Sequence, residues 1–235
     1  MLKVNEIFKS IQGESTYAGL PCIFIRLTGC NLRCNYCDTV YAYENGVEMR
    51  IEEILSDIEL LGGSLIEITG GEPLLQGETG DLVSLLIKRG YRVLVETNGT
   101  LDINALPEGT IRIMDLKCPD SGMADKTDWK NVERLRPNDE VKFVLSSRRD
   151  YEWAKDVIGK YRLTKKVKVL IGVAFNKLDL KRVASWILED GIDVRLQLQI
   201  HRYIWPPDTP EGIILRSTCR YESGSGSSTP KRRDG

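Results

Sequence analysis

Apolar residues along the chain fall into short runs that alternate with amphipathic stretches. Seven runs rich in Val, Ile and Leu have the length of buried strands: Ile23–Leu27, Leu65–Thr69, Arg92–Glu96, Ile111–Leu116, Glu140–Leu145, Val167–Val173 and Val194–Leu198. Apolar residues at helical spacing predict helices over 51–61, 82–89, Tyr151–Tyr161 and Leu180–Glu189. Gly62-Gly63 and Gly90 follow the first two and mark their ends. This order predicts an α/β protein, a partial, curved (β/α) barrel whose functional loops lie at the strand carboxyl ends.

Composition narrows the class of protein. The chain has 235 residues, of which 41% are hydrophobic and 29% charged, as expected for an ordinary globular protein with one sizeable core. The net charge of −1 argues against a broad nucleic-acid-binding surface. No run approaches the roughly 20 apolar residues that a membrane helix needs. Six cysteines without an export signal predict a reducing, cytoplasmic setting.

The domain is predicted to span residues 1–210, with a C-terminal extension over 211–235. The last part of that extension, YESGSGSSTPKRRDG at 221–235, is rich in Ser and Gly. Such a composition cannot bury a core, so we expect disorder or an added linker there.

The segment CNLRCNYC places three thiols, Cys30, Cys34 and Cys37, within eight residues, after a predicted strand. Three thiolates can hold three irons of a [4Fe–4S] cluster, which most proteins hold with four. The fourth iron would then be open to a substrate or cofactor. Three alternatives stay open: a structural zinc site, a disulfide framework, and an electron-transfer cluster completed by Cys22 or Cys118.

A second motif, TGGEP at residues 69–73, follows the next predicted strand. In this order, CNLRCNYC and TGGEP resemble the radical S-adenosylmethionine (SAM) superfamily. The resemblance implies that SAM binds the open iron and contacts Tyr36, Cys37, Asp38, Gly70, Gly71 and Glu72. Two later loops, ETNGT at 96–100 and DLKCPDSGM at 115–123, end strands at the same predicted edge. They add Asn98, Lys117, Cys118, Pro119 and Ser121 as SAM-binding candidates.

Longer stretches carry a narrower resemblance. The segment VNEIFKSIQGESTYAGLPCIFIRLTGCNLRCNYCDTVYA, together with LQLQIHRYIW near residue 200, resembles the 7-carboxy-7-deazaguanine synthase family. That resemblance implies a ring contraction of 6-carboxy-5,6,7,8-tetrahydropterin to 7-carboxy-7-deazaguanine with loss of ammonia, in 7-deazapurine and queuosine biosynthesis. It also implies a [4Fe–4S] cluster, SAM and Mg²⁺ as cofactors. The reduced cluster would cleave SAM to a 5′-deoxyadenosyl radical, which removes a hydrogen from the pterin and later takes it back.

The family resemblance assigns the remaining site residues. Thr39, in the CDT that closes the cluster loop, is expected to bind Mg²⁺. The substrate-binding candidates are Ile11, Gln12, Gly13, Glu14, Arg26, Thr69 and His201. A carboxamide and a carboxylate can pair with the donor–acceptor edge of a pterin, and an arginine can hold its carboxylate. Arg26 also interrupts an apolar strand, where an unpaired charge would be costly.

Some features of the chain depart from this family or leave its function open. The segment IGVAFN at 171–176 lacks the Ser-Pro or Gln-Pro that we expect to contact SAM. A radical SAM activase acting on a protein partner, or a binding module with a fully ligated iron–sulfur or zinc site, would share some of the motifs. The expected partners are a pterin substrate, an electron donor such as flavodoxin or ferredoxin, and a second copy in a homodimer, with neither nucleic acid nor membrane.

Overall fold

The computed structural model describes residues 1–205 and the two residues Leu215 and Arg216. Its strands are β1 (Leu2–Ile11), β2 (Pro21–Leu27), β3 (Val47–Met49), β4 (Leu65–Gly70), β5 (Arg92–Thr97), β6 (Ile111–Asp115), β7 (Glu140–Leu145), β8 (Lys168–Val173), β9 (Arg195–Leu196) and β10 (Leu215–Arg216). Its helices are α1 (Ile51–Leu61), α2 (Thr79–Lys88), α3 (Asn131–Arg134), α4 (Arg148–Tyr161), α5 (Leu180–Asp190) and α6 (His201–Ile204). Among the described residues, no helix is long and apolar enough to cross a membrane.

The described strands form one sheet in the order β10-β1-β2-β4-β5-β6-β7-β8-β9, with β3 paired to β1 outside this path. From β2 to β9 all neighbours are parallel, whereas β1 pairs antiparallel with β2, β3 and β10. The path of described strands starts at β10 and ends at β9 without closing. The predicted partial, curved (β/α) barrel is therefore confirmed, and the parallel strands carry their carboxyl ends to one rim.

The crossover helices bury one apolar face each against this sheet. Helix α1 buries Ile54, Leu55 and Ile58, and α2 buries Leu82, Val83 and Leu86, in one core with β2, β4 and β5. Helices α4 and α5 pack in a second core with β6, β7 and β8. Helix α1 ends where Gly62 takes a φ of 61°, a conformation that favours glycine. Because the helices pack against the sheet, the rim at the strand carboxyl ends is formed by loops.

The sequence pattern located most elements but missed strands β1 and β3. In β1 the register shifts between Val4 and Glu6, so the alternation of buried and exposed positions is broken. At the other end, only Arg195–Leu196 of the predicted strand Val194–Leu198 is in the sheet. Leu215 and Arg216, in the predicted extension, pair with β1. The predicted tail at 221–235 lies outside the described residues.

Candidate active site

A cavity of about 750 Å³ lies among the loops at the carboxyl ends of the parallel strands. This volume lies in the range of small-molecule sites. Most residues singled out from the sequence line it: Ile11, Gln12, Gly13, Glu14, Arg26, Cys30, Cys34, Tyr36, Cys37, Asp38, Thr39, Thr69, Gly70, Gly71, Asn98, Lys117 and His201. Glu72, Cys118, Pro119 and Ser121 are not among the lining residues, and Glu72 and Cys118 are completely buried.

The loop that carries the three thiols is anchored from two sides. The Tyr36 hydroxyl donates to the backbone carbonyl of Val144 at 2.9 Å, and the Asn35 amide donates to that of Ser121 at 3.0 Å. On the other side the glycines of TGGEP pack against the loop backbone. A Cβ added at Gly71 would lie 2.0 Å from the Gly29 carbonyl oxygen, so only glycine allows this approach.

The donor set of this loop fits a [4Fe–4S] cluster with three protein ligands. All three thiols line the cavity, whereas Cys22 and Cys118 are buried outside it. Among the residues that the structure describes, no three Cys, His, Asp or Glu side chains converge as the ligands of one ion would. A zinc ion needs such convergence, but three thiolates that hold different irons do not. Burial raises the pKa of Cys34, and the Lys117 ammonium opposes this effect and favours the thiolate.

Glu72 links the glycine loop to the end of β5. Its carboxylate accepts hydrogen bonds from the Leu74 amide at 3.0 Å, the Thr97 hydroxyl at 2.8 Å and the Asn98 amide at 2.6 Å. The Asn98 side chain in turn donates to Asn31 Oδ1, in the thiol loop, at 2.9 Å. In this arrangement Glu72 holds the loops that surround the cavity, and its role as a SAM contact stays a prediction.

The loop Gln12–Glu14 presents two hydrogen-bonding side chains to the cavity. The Gln12 Nε2 group donates to the Glu67 carboxylate, and its Oε1 accepts from the Glu14 amide at 3.0 Å. The Glu14 carboxylate accepts from Lys142 Nζ at 2.9 Å and from Gln199 Nε2 at 2.6 Å. These bonds fix both groups in position, and each side chain retains further hydrogen-bonding capacity.

Lys142, which the sequence reasoning missed, lies at the centre of a buried ion cluster. Its ammonium contacts the Glu96 carboxylate as well as Glu14, and Asp115 Oδ2 lies 3.9 Å away. Burial raises the pKa of Glu14, but Lys142 and the Gln199 hydrogen bond outweigh that effect and lower it to about 2. Glu14 is therefore an ionised hydrogen-bond acceptor at neutral pH.

The pKa of Glu67, on β4, is shifted in the opposite direction to that of Glu14. It is almost completely buried and lines the cavity. Burial, and then the nearby Glu96 carboxylate, raise the pKa of Glu67 to about 8. The cavity wall therefore holds one ionised and one largely protonated carboxyl group, Glu14 and Glu67, on either side of Gln12.

Arg26 pairs with another side chain of this protein, which the sequence reasoning did not identify. Its Nε donates to Glu6 Oε1 at 2.7 Å, and its guanidinium lies 5.7 Å from the Tyr41 ring centroid. This bond explains how a charge is tolerated within an apolar strand. Within the described part of the chain Arg26 donates to Glu6 through Nε alone, so the two terminal amino groups can hold a carboxylate in the cavity.

Thr39, Asp38 and His201 line the outer part of the same cavity. The Thr39 hydroxyl donates to Oδ1 of the exposed Asp38 at 3.0 Å, and the other Asp38 oxygen pairs with Arg202 at 3.0 Å. Burial lowers the pKa of His201, although Glu14 opposes this. A Cβ added at Gly13 would lie 1.9 Å from His201 Nδ1, so this glycine lets the loop Gln12–Glu14 pack on α6.

Four lining residues that the sequence reasoning missed share one signal. Each is a charged side chain within or at the end of an apolar strand: Glu67, Glu96, Asp115 and Lys142. The same argument supported Arg26, which the family resemblance assigns, because a buried charge is costly without a partner or a function. Applying that argument to every strand would have found the whole group.

Comparison with known proteins shows which family this chain resembles. A sequence model described as the Radical SAM superfamily matches residues 24–117. The 7-carboxy-7-deazaguanine synthase of Koribacter versatilis is 43% identical over 223 residues, covering 88% of this chain and 99% of the relative. That of Chlorobaculum tepidum is 43% identical over 211 residues, covering 88% and 96%. The crystal structure of QueE from Escherichia coli has the same fold, with a TM-score of 0.70, 24% identity and coverage of 84% of this chain and 94% of that one.

Proposed function

The chain belongs to the 7-carboxy-7-deazaguanine synthase family, and we propose that it converts 6-carboxy-5,6,7,8-tetrahydropterin to 7-carboxy-7-deazaguanine and ammonia. The observation that carries this proposal is the content of one cavity. It combines three thiols, with no fourth among the described residues of its wall, a fixed Gln12–Glu14 pair and the Arg26 guanidinium. An activase for a protein partner has no need of the latter groups.

The cofactor end of the cavity lies at the thiol loop. Cys30, Cys34 and Cys37 would hold a [4Fe–4S] cluster, and the glycines at 70 and 71 leave room for SAM to approach the backbone. Together these cofactors supply the radical that starts the reaction. The protein contributes binding, orientation and exclusion of water. Lys117, beside Asp115 and Cys34, places a positive charge near the thiolates.

The substrate end of the cavity matches a carboxypterin in charge and hydrogen bonding. Glu14, ionised by Lys142, can accept from an N–H group of the 2-amino-4-oxo edge through the oxygen that bonds Gln199. Gln12 can donate and accept beside it. Arg26 can form a paired hydrogen bond with the substrate carboxylate, a geometry that an arginine favours. His201, with a lowered pKa, is a neutral neighbour of the bound ring.

A magnesium ion is proposed at the outer wall. The Thr39 hydroxyl and the adjacent Asp38 carboxylate are hard oxygen donors, and Mg²⁺ commonly keeps few protein ligands while substrate and water supply the others. We further propose that the chain works as a homodimer with a small flavoprotein or iron–sulfur protein as electron donor.

The test is mass spectrometry of the products after anaerobic incubation of reconstituted protein with SAM, a reductant and the carboxypterin. We expect one 7-carboxy-7-deazaguanine and one ammonia per pterin consumed, with little net loss of SAM. Cleavage of SAM without loss of pterin would overturn the proposed substrate and favour the activase. Active protein with zinc in place of iron and sulfide would overturn the radical chemistry itself.

A further inference from the structure

We propose that Lys142 is a positioning residue that holds the Glu14 carboxylate in place and restricts it to accepting hydrogen bonds, so that the site selects ligands that present an N–H donor to Glu14. The ligand class rests on the proposed function, whereas the action of Lys142 on Glu14 can be tested without it.

The geometry makes Lys142 the link between separate parts of the sheet. It projects from β7 and contacts Glu14, on the loop after β1, and Glu96, on β5. The Lys142 side chain is only 7% exposed, so its charge is not screened by water. The same Glu14 oxygen also accepts from Gln197 Nε2 at 3.0 Å, and the second oxygen accepts from Gln199. A carboxylate held by three donors in this way has one orientation.

The charged groups around Glu14 explain why one lysine decides its protonation. Glu67 on β4 and Glu96 on β5 repel a negative charge at Glu14, and Asp115 on β6 lies close to Lys142. His201 on α6 and Lys142 on β7 favour that charge. Burial lowers the pKa of His201, so at neutral pH Lys142 is the main cation facing Glu14. Without Lys142, Glu14 would lie close to the carboxyl groups of Glu67 and Glu96 with no cation between them.

Protonation would change what Glu14 recognises. An ionised carboxylate only accepts hydrogen bonds, whereas a protonated one also donates. A ligand edge that presents an N–H group to Glu14 would be favoured by the first state, and an edge that presents a carbonyl would be tolerated by the second. A ligand that leaves a buried polar group of the site unpaired is rejected strongly. Lys142 would thus determine the choice between a 2-amino and a 2-oxo pteridine.

The first measurement needs no ligand. Protein labelled with ¹³C at the glutamate side-chain carboxyls is titrated by NMR between about pH 5 and pH 8, and the Glu14 signal is assigned with Glu14→Gln. We expect it to stay constant in the parent and to titrate within this range in Lys142→Met, with protonation as the pH falls. Lys142→Arg, which keeps the charge, should resemble the parent. Lys168→Met, which removes an exposed strand lysine, is the matched control.

Loss of folding in Lys142→Met is addressed by the double variant Lys142→Met/Glu96→Gln. This removes one buried cation and one buried anion together and still leaves Glu14 without its lysine. A Glu14 signal that does not titrate in either variant would overturn the proposal.

The second measurement compares binding of 6-carboxypterin and 6-carboxylumazine, its 2-oxo analogue, to SAM-loaded protein. The parent should prefer the pterin by about tenfold or more, with little change in that ratio over the pH range. In Lys142→Met the preference should shrink about tenfold and weaken further as the pH falls. An unchanged ratio in the variant would overturn the role of Lys142 while leaving the proposed function intact. If the parent binds neither compound, the proposed function fails, and the NMR result alone decides on Lys142.

Discussion

Two buried ion clusters, one around Asp139 and one around Lys142, differ in their charge balance. At the start of β7, Asp139 accepts from the Arg112 backbone amide at 3.0 Å and from Arg112 Nε at 2.9 Å, and both side chains are almost completely buried. The Arg112 Nη2 group also donates to the Arg134 carbonyl at 2.7 Å. Further along the same strand, Lys142 faces Glu14 and Glu96 together.

This difference indicates which cluster serves stability and which serves binding. Arg112 and Asp139 neutralise each other, and the pair does not line the cavity. In the Lys142 cluster the carboxylates outnumber the lysine, and its members line the cavity. A buried excess of one charge is costly unless a proton or a ligand compensates it. The comparison predicts that changes in the first cluster affect folding and that changes in the second affect the ligand.

The largest effect on stability is expected for Asp139→Asn. It leaves the buried Arg112 guanidinium without its counter-charge, which costs about 3–5 kcal/mol of unfolding free energy. Denaturant unfolding measures this loss. The protein that remains folded should keep its kcat/KM for the pterin. In Arg112→Met/Asp139→Asn, which removes the buried cation but keeps a side-chain oxygen for the Arg112 backbone amide, part of the stability should return, and equal losses in the single and double variants would contradict the account.

A pH-dependent effect is expected at Glu67. Its raised folded-state pKa means that its contribution to stability is present below its ordinary value of 4.5 and is lost as the pH rises through about 8. Glu67→Gln removes this loss. Its unfolding free energy should therefore rise relative to the parent by about 1.4 kcal/mol per pH unit between these limits. A difference that is constant with pH would show that Glu67 is ionised in the folded chain.

Glu14→Gln should lower the catalytic efficiency for the pterin substrate. Loss of the carboxylate removes a charged acceptor from the pterin edge, so kcat/KM should fall by about tenfold or more, which corresponds to at least about 1.4 kcal/mol. Cleavage of SAM without pterin should persist, because the thiol and glycine loops are unchanged. Loss of both activities together would place Glu14 in the cofactor site.

The smallest effect is expected for Glu6→Gln. The Arg26–Glu6 pair is partly exposed, so its loss should change the unfolding free energy by less than about 1 kcal/mol. Arg26 remains available to the substrate carboxylate, and KM should change by less than about threefold. Arg26→Met is the matched change on the other side of the pair, and it should raise KM far more. Equal effects of the two variants would assign Arg26 a structural role only.

The pattern of the sequence predicted the parallel part of the fold well. Buried parallel strands are almost entirely apolar, and their helices show a clear helical period, so β2 and β4–β8 were all located. Strand β1 was missed because its bulge breaks the alternation, and β9 is too short to be defined by its residues. The pairing of Leu215 with β1 depends on contacts distant in sequence, which no local pattern contains.

The site was predictable to the extent that its chemistry is local. The thiol spacing and the glycine loop lie in short segments, and the structure places both at one cavity. The buried partners of Glu14 and Arg26 come from separate elements, so only the fold brings them together. The charge of Lys142 within an apolar strand was visible, but its partners were not.

The most direct test of the central claim is calorimetric titration of the carboxypterin into anaerobic, cluster-containing, SAM-loaded protein. We predict binding of one pterin per chain in the parent and in Asp139→Asn, measured at a temperature where the variant is folded, and strongly weakened binding in Glu14→Gln. The absence of any binding signal in the parent at about millimolar ligand, or equal weakening in both variants, would contradict the assignment of the Lys142 cluster to the substrate.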